Sequence, residues 1–305
     1  MIRFALHRLV GLVLVLFAVV TLTFFLIRSI PGGPFDKEKE PPPHIKEQVL
    51  QKYGLDGSLW SQYVRYLGDL MRGDLRVSFK YRNRSVAEIL ADSLPVSGLL
   101  GASAFVLATL GGVVLGTYAA VHRNTAGDYL AMLSALLAIS LPAFVTGPIL
   151  ILVFALWLGW LPVGGWSGWQ HLVLPAVCLA APYTAYIARL MRNSMVEVLG
   201  QDYIRTARAK GLDEGAVVYK HAMKVAILPV VTFLGPLAAH LLTGSIVVEQ
   251  IFSVPGTGGF FVKSIENRDG FLLSGVVIVY CTLLVGFNFV VDLTYGVLDK
   301  RIARG

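Results

Sequence analysis

Long apolar runs alternate with polar segments along this chain. Because the hydrocarbon core of a membrane needs about 20 apolar residues per helix, the apolar runs qualify as six membrane spans, at residues 9–29, 98–121, 129–158, 172–190, 225–248 and 271–297. The polar segment 31–97 is far longer than the others. The pattern therefore predicts an all-α integral membrane protein with six transmembrane helices and one large loop.

Proline and glycine modify two of the predicted spans. Pro142 and Pro148 lie inside the third run, where a proline removes a backbone donor and clashes with the preceding turn. We therefore expect a kink or a tilt there. Gly111, Gly112 and Gly116 lie in the second run and would allow a neighbouring helix to approach closely.

The composition agrees with a membrane protein. Hydrophobic residues make up 55% of the chain and charged residues only 15%, whereas a soluble domain has about 45–50% and about 25%. The net charge of +7 does not by itself indicate nucleic acid, because the bases must first be placed relative to the bilayer. Cys178 and Cys281 lie in apolar runs and form no disulfide or metal-binding pattern.

The distribution of basic residues predicts the orientation. If the N-terminus is cytoplasmic, the outer loops 159–171 and 249–270 contain only Lys263 and Arg268. The cytoplasmic segments contain 13 of the 26 lysine and arginine residues, in 1–8, 122–128, 189–224 and 299–305. This positive-inside bias predicts that both termini are cytoplasmic. The first run is longer than the apolar region of a signal peptide, so we interpret it as a retained span.

The loop 31–97 has the features of an ordered external subdomain. Its residues 59–72 put Trp60, Tyr63, Leu67 and Leu70 at helical spacing, which predicts an amphipathic helix. The sequence SVAE, residues 85–88, is typical of a capping box. Such a subdomain could cover an outer mouth or could be a docking surface for another protein. The predicted division is 1–30 with the first span, 31–97 outside the membrane, and 98–305 with five spans.

The polar segment 194–224 contains several helix signals. Ser194 and Glu197 form another S-x-x-E box, which predicts a helix start. Asp202 is a suitable N-cap for a short helix over 203–210. Gly211 follows where a helix C′ residue tolerates positive φ.

The same segment is basic between two apolar spans. Arg205, Arg208 and Lys210 crowd the last turns of the short helix, where cations complement the helix dipole. Ala207 and Ala209 give that helix a slim profile, while Asp213 and Glu214 open the next helix. Such a rod could enter a groove of another protein, or its bases could meet anionic lipid head groups.

The stretch RTARAKG, followed nine residues later by HAMK, resembles the cytoplasmic signature of bacterial ABC-importer permeases. That signature is E-A-A-x-x-x-G, nine residues, then I-x-L-P. Here Arg205 takes the glutamate position, and HAMK replaces I-x-L-P, as is typical of the peptide-permease branch. The resemblance implies that 194–224 is the coupling region that docks on an ATPase, through Tyr203, Arg205, Thr206, Ala207, Arg208, Ala209, Lys210, Gly211, His221 and Lys224.

The resemblance covers nearly the whole chain. RSIPGGPF, GDLRVSFKYRNRSV, SLPVSGLLGASAF, WLPVGGW and GSIVVEQIFSVPGTGG are similar to B-type membrane subunits of oligopeptide permeases. This likeness implies a type I ABC importer permease fold, with 98–305 as the permease core, in the bacterial inner membrane. The partners it implies are a homologous second permease, two ABC ATPases and a periplasmic peptide-binding protein. Related permeases handle dipeptides, glutathione or nickel, and the sequence does not fix the ligand.

The chain has no recognisable catalytic motif of its own. It lacks G-x-x-x-x-G-K-[ST], H-E-x-x-H and G-x-S-x-G. We therefore expect no catalytic residue, metal or cofactor in this chain, with ATP and magnesium bound by the partner ATPases. Beyond the protein partners we expect contact with membrane lipid and none with nucleic acid.

Two other classes of function make different demands on the sequence. An ion-driven secondary transporter would need inverted repeats and intramembrane acidic pairs, and an intramembrane enzyme would need paired catalytic groups. The sequence has no evident duplication. His240, Glu249 and Asp292 are ionisable residues in or near spans and are candidates for the gate or pathway.

Overall fold

The computed structural model describes residues 2–29, 51, 53–81 and 83–298, without the side chains of 2–5 and 292–298. The described part of the chain is helical, and its only β-type pairing is one isolated bridge between Val77 and Ser85. The predicted all-α class is confirmed. The helices are α1 (Ile2–Ser29), α2 (Leu59–Met71), α3 (Val86–Val121), α4 (Ala126–Ser140), α5 (Ala143–Trp157), α6 (Trp169–Leu199), α7 (Asp202–Ala209), α8 (Glu214–Ala226), α9 (Leu228–Leu242), α10 (Ile246–Ile251), α11 (Thr257–Glu266) and α12 (Gly270–Leu298).

Four described helices are long and apolar enough to cross a membrane without interruption: α1, α3, α6 and α12. Two further candidates are bent pairs, α4 with α5 at 112° and α8 with α9 at 53°. The predicted number of six spans is reached when each bent pair counts as one span. The apolar runs therefore identified the spans, but not their continuity.

The break between α4 and α5 lies at one of the two prolines of the third run. Leu141 has φ −91° and ψ 118°, and Pro142 has φ −62° and ψ 151°, so both are extended. A proline disfavours the α conformation of the residue before it, which explains the end of α4. Pro148 lies inside α5, which continues as a π-helix over Ile151–Trp157. The chain changes direction in this run, as expected. The change, 112° between α4 and α5, is much larger than a kink within one helix.

The fifth predicted span, 225–248, is not one continuous helix. The chain bends at Ile227, just before Pro229 at the start of α9, and α9 ends at Leu242. Gly244 then has φ +94°, a conformation that favours glycine. The residues after it form the separate short helix α10.

The chain forms two compact units, one from residues 1–95 with 256–305 and one from 96–255. The boundary falls inside α3, next to Pro95. The predicted division into 1–30, 31–97 and 98–305 stays a prediction.

The first unit contains described residues of the predicted external loop. Ser85 and Glu88 form the predicted capping box, with Ser85 N–H donating to Glu88 Oε2 at 3.0 Å and Glu88 N–H donating to Ser85 Oγ at 3.1 Å. The amphipathic helix predicted at 59–72 is present as α2, with Tyr63 and Tyr66 buried against Phe24 and with Trp60 exposed. Residues 31–50, 52 and 82 of the predicted subdomain lie outside the described residues.

Asp269 fastens another part of this unit. Its buried carboxylate accepts hydrogen bonds from the Ser78 hydroxyl, from Lys80 N–H at 3.3 Å and from Leu272 N–H at 3.1 Å. The Leu272 bond caps the first turn of α12, while the other two hold the chain after α2. The chain after α2 is therefore tied to the start of α12 in the same unit.

In the second unit, α3 and α6 approach closely through the predicted glycines. A Cβ at Gly112 would lie 2.5 Å from Ile187 Cβ, and one at Gly116 would overlap the Ala188 carbonyl oxygen. Both glycines therefore face α6 directly, which confirms their expected role. The buried cluster around this contact continues to the residues that anchor α7, because Met195, Val198 and Ile204 belong to the same core.

Candidate functional site

The short basic helix predicted at 203–210 is present as α7. It begins at Asp202, and the extended residue before it, Gln201, is the N-cap and makes no side-chain capping bond. The predicted N-cap Asp202 is thus one residue too late. Its acidic side chain still lies in the first turn, where it complements the positive end of the helix dipole.

The end of α7 is a Schellman motif. Gly211 has φ +79°, and its N–H donates to Arg208 O at 2.9 Å. Leu212 N–H donates to Ala207 O at 3.4 Å. These two bonds satisfy carbonyls that the helix leaves without partners, and glycine adopts positive φ without the clash that a Cβ causes. The predicted role of Gly211 as the C′ residue is confirmed.

One side of α7 is anchored in the protein. Ile204 is fully buried and Ala207 is 6% exposed, three residues apart on one face of a helix that is otherwise polar. Both belong to the core that includes Val217 and Val218 of α8. The sequence analysis missed Ile204, although its spacing from Ala207 was the available signal. Ala207 therefore holds α7 in place from its inner face.

A salt bridge closes the turn between α7 and α8. The Arg208 guanidinium donates to both carboxylate oxygens of Glu214, from Nη2 at 2.5 Å and from Nε at 3.1 Å. The hydrogen bonds to Glu214 raise the pKa of Arg208. Asp213 caps α8 by accepting from Ala216 N–H at 2.9 Å. The predicted start of a helix at Asp213 and Glu214 is confirmed, and the turn is held at both ends.

The opposite side of α7 is exposed and positively charged. Arg205 makes only a 3.3 Å contact with Asp202, and both side chains are largely exposed. Within the described part of the chain, Lys210, Lys220 and Lys224 have no ion-pair partner. We call the exposed residues of the predicted coupling region the coupling surface; they are Tyr203, Arg205, Thr206, Arg208, Ala209, Lys210, Gly211, His221 and Lys224.

α6 leads into the coupling surface without a break. The predicted helix start at Ser194 and Glu197 is wrong, because one helix runs unbroken from Trp169 to Leu199 and ends at Gly200. A capping box needs an extended N-cap residue, whereas Ser194 lies in the interior of α6. The connection from α6 to α7 therefore consists of Gly200 and Gln201 alone.

A buried ion pair near the end of α6 was also missed by sequence reasoning. Arg192 donates from Nε and Nη2 to the two carboxylate oxygens of Asp128, each at 2.6 Å, and Asp128 is 1% exposed. The two residues are 64 positions apart. No local pattern marks such a pair, although an acidic residue at the edge of an apolar run was a weak hint.

The three pathway candidates lie on three different helices. His240 is exposed, and its ring centroid lies 5.7 Å from that of Tyr183. Glu249 is fully buried within α10, on a different element from His240. Asp292 lies on α12, and its side chain is outside the described residues. Their role in a gate or pathway stays a prediction.

Together, α7 and the turn after it form a small, anchored, cationic element. α7 is fastened by its buried face, its Schellman turn and the Arg208–Glu214 bridge, which together hold its backbone in place. A rigid surface loses little conformational entropy when a partner binds it. Its charge suits an acidic groove or an anionic surface.

Comparison with known proteins adds the family. Residues 112–304 match the family described as binding-protein-dependent transport system inner membrane component, and residues 1–98 match the N-terminal part of such components. The chain is 43% identical over 304 residues to the oligopeptide transport system permease protein OppB of Haemophilus influenzae, and 42% identical over 304 residues to that of Escherichia coli K12. Each alignment covers 99% of both chains.

A relative with a different named substrate is equally similar. The dipeptide transport system permease protein DppB of Bacillus subtilis is 43% identical over 302 residues, which cover 99% of this chain and 98% of the other. Overall identity therefore does not separate the two named substrate classes.

Proposed function

The chain belongs to the inner membrane components of binding-protein-dependent transport systems, and from this premise we propose that it is the membrane-spanning permease subunit of an ATP-driven importer of oligopeptides. It is a multi-pass inner membrane protein. The observation that carries the proposal is the likeness over 99% of its length to permeases named for oligopeptide transport.

The partners follow from the same proposal. A second, homologous permease completes the translocation pathway, two ATPases supply the energy, and a periplasmic binding protein delivers the peptide. ATP and magnesium bind to the ATPases, so this chain takes no catalytic step. Both of its termini lie in the cytoplasm, in agreement with the distribution of lysine and arginine.

The coupling surface is the part of the chain that docks on an ATPase. Its exposed cationic side chains and its buried anchor Ile204 support this role, because a force applied to α7 reaches the core instead of bending a loop. When the ATPases close on ATP, α7 moves as a rigid body. The two permeases then alternate between inward-facing and outward-facing states, and the peptide passes between them.

A dipeptide is the second candidate substrate, favoured by the equal identity to the Bacillus subtilis relative. The binding protein makes much of this selection. The permease must pass whatever that protein releases, so the two candidates share one mechanism.

The decisive experiment reconstitutes the chain with its partner subunits in vesicles that contain ATP. We expect uptake of a labelled tetrapeptide that requires ATP and the binding protein, with unlabelled dipeptide, glutathione and nickel as competitors. Competition by dipeptide alone would assign the second substrate. Uptake that persists without ATP and stops with an uncoupler would refute an ATP-driven importer.

Docking of the coupling surface is tested in the same complex. A single cysteine at Thr206, which is exposed on α7, should cross-link to an ATPase subunit. A cysteine at Ser61, exposed on α2 in the other unit, is the matched control and should not. Equal cross-linking at both positions would contradict docking through α7.

A further inference from the structure

The ion pair between the buried Asp128 and the partly exposed Arg192 joins the start of α4 to the inner end of α6. Both carboxylate oxygens accept from the guanidinium at 2.6 Å, and Asp128 Oδ2 also accepts from Asn124 N–H at 3.0 Å. Asn124 has φ +64°, which turns the loop before α4 toward the carboxylate. Three hydrogen bonds thus satisfy an almost fully buried charge.

Part of the remaining contact between α4 and α6 is formed by small side chains. α4 packs along α6, and small side chains of both helices border a groove of about 360 Å³ that α3 also lines. They include Ser134, Ala135 and Ala138 of α4 and Ala181, Thr184 and Ala185 of α6. Among the described residues, the ion pair makes the only side-chain hydrogen bonds between these two helices.

The location of the pair connects it with the coupling surface. α6 ends at Leu199, seven residues beyond Arg192 and so about 10 Å along the helix. Only Gly200 and Gln201 then separate it from α7. A displacement of α7 would therefore be passed along the last turns of α6 to Arg192. Arg192 is the residue of α6 nearest to α7 that makes a side-chain hydrogen bond to α4.

A buried ion pair contributes little net stability, because desolvation offsets the attraction, and fixing one arrangement among several is its best-attested use. We infer that Asp128 and Arg192 are positioning residues that make α4 follow α6 when α7 is displaced. This inference rests on the proposed function of α7 as the coupling element. α4 leads directly into the 112° bend before α5, so the pair passes movement to the bent span.

The test uses the complete complex reconstituted with both permeases, both ATPases and the binding protein. The variants are Arg192→Gln, Arg192→Lys and Asp128→Asn. The measured quantity is the number of peptides imported per ATP hydrolysed by assembled complex, which a purely structural role would leave unchanged. The matched control is Arg76→Gln, since Arg76 donates from Nε and Nη2 to Asp69 at 2.8 and 2.6 Å in the other unit.

We expect Arg192→Gln and Asp128→Asn to lower that ratio by about tenfold, within the range by which residues along a coupling network act. Arg192→Lys keeps the charge without the two-pronged geometry and should fall between these variants and wild type. Arg76→Gln should keep the wild-type ratio.

A ratio within about twofold of wild type for all three variants would overturn the inference. If Arg192→Gln fails to assemble, the ratios for Asp128→Asn and Arg192→Lys decide in the same way. The proposed function fails separately, when wild-type complex imports no peptide or when Gly211→Val leaves the ratio intact.

Discussion

Gly211 ends α7, so its backbone conformation sets where the proposed coupling helix lies. A Cβ at this position would meet no atom within 4 Å, so a side chain has room. The obstacle is φ +79°, where an L-residue costs about 1–2 kcal/mol and a β-branched residue is a true outlier. A substitution there therefore distorts the turn without disturbing the core.

We predict that Gly211→Val lowers peptide uptake by about tenfold, because relief of the strain breaks the Schellman bonds and moves α7 away from its docked position. Uptake by reconstituted complex is the measurement, and complex in the membrane should stay at its normal amount. Gly211→Asn should retain most uptake, since asparagine tolerates positive φ.

Gly73 supplies the matched control for this substitution. It has φ +76°, open space around a Cβ, and the same Schellman bonding after α2, with Gly73 N–H donating to Leu70 O and Asp74 N–H donating to Asp69 O. Gly73→Val therefore introduces equal strain in the other unit. Equal losses of uptake from both variants would mean that strain alone, and not coupling, accounts for the effect.

Residues whose partners lie a few positions away were predictable from the sequence. Residues whose partners lie far away in the sequence were not. The Ser85–Glu88 box, Gly211 and Asp213 could be identified because capping depends on partners within a few positions. The Asp128–Arg192 pair joins residues 64 positions apart, and only tertiary structure brings them together. Local signals also mislead, as at Ser194, where burial of α6 overrides the box.

At the scale of elements, the contact between α3 and α6 depends on glycine. We predict that Gly116→Ala lowers the stability of the solubilised protein by about 1–3 kcal/mol, since the added methyl group overlaps the Ala188 carbonyl oxygen and the helices must separate. The measurement is the thermal unfolding midpoint in detergent.

Gly98→Ala is the control for this prediction. Gly98 lies in the same helix and the same unit, and a Cβ there meets no atom within 4 Å. The change should leave stability equal or slightly higher, because alanine favours the helix over glycine by about 0.5–1 kcal/mol. A similar loss of stability from both variants would mean that the contact between α3 and α6 is not the reason why Gly116→Ala destabilises the protein.

The positions of the helices followed from the lengths of the apolar runs, but their bends did not. Pro142 coincides with the end of α4, whereas Pro175 and Pro182 lie inside an unbroken α6. A proline only weakens the helix locally, and packing around it decides whether the chain bends. The sequence could therefore mark possible breaks without choosing among them.

At the scale of the whole molecule, the orientation depends on whether the two bent pairs cross the membrane. Six spans put both termini on one side, in agreement with the bias of basic residues. If one pair only dips into the membrane and returns, the number of crossings becomes five, and every later loop changes side. The helix lengths allow either case.

Single cysteines distinguish these cases after the natural cysteines Cys178 and Cys281 are replaced. Arg123→Cys and Ser167→Cys flank the pair α4 and α5, while Lys210→Cys and Lys263→Cys flank the pair α8 and α9. In intact cells we expect a membrane-impermeant maleimide to label positions 167 and 263 only. Positions 123 and 210 should react after the cells are opened. If positions 123 and 167 are labelled under the same condition, they lie on the same side of the membrane, and the 112° bend is re-entrant. If positions 210 and 263 are labelled under the same condition, the 53° bend is re-entrant. If position 210 reacts in intact cells, the coupling surface faces away from the cytoplasm, where ATP cannot drive it.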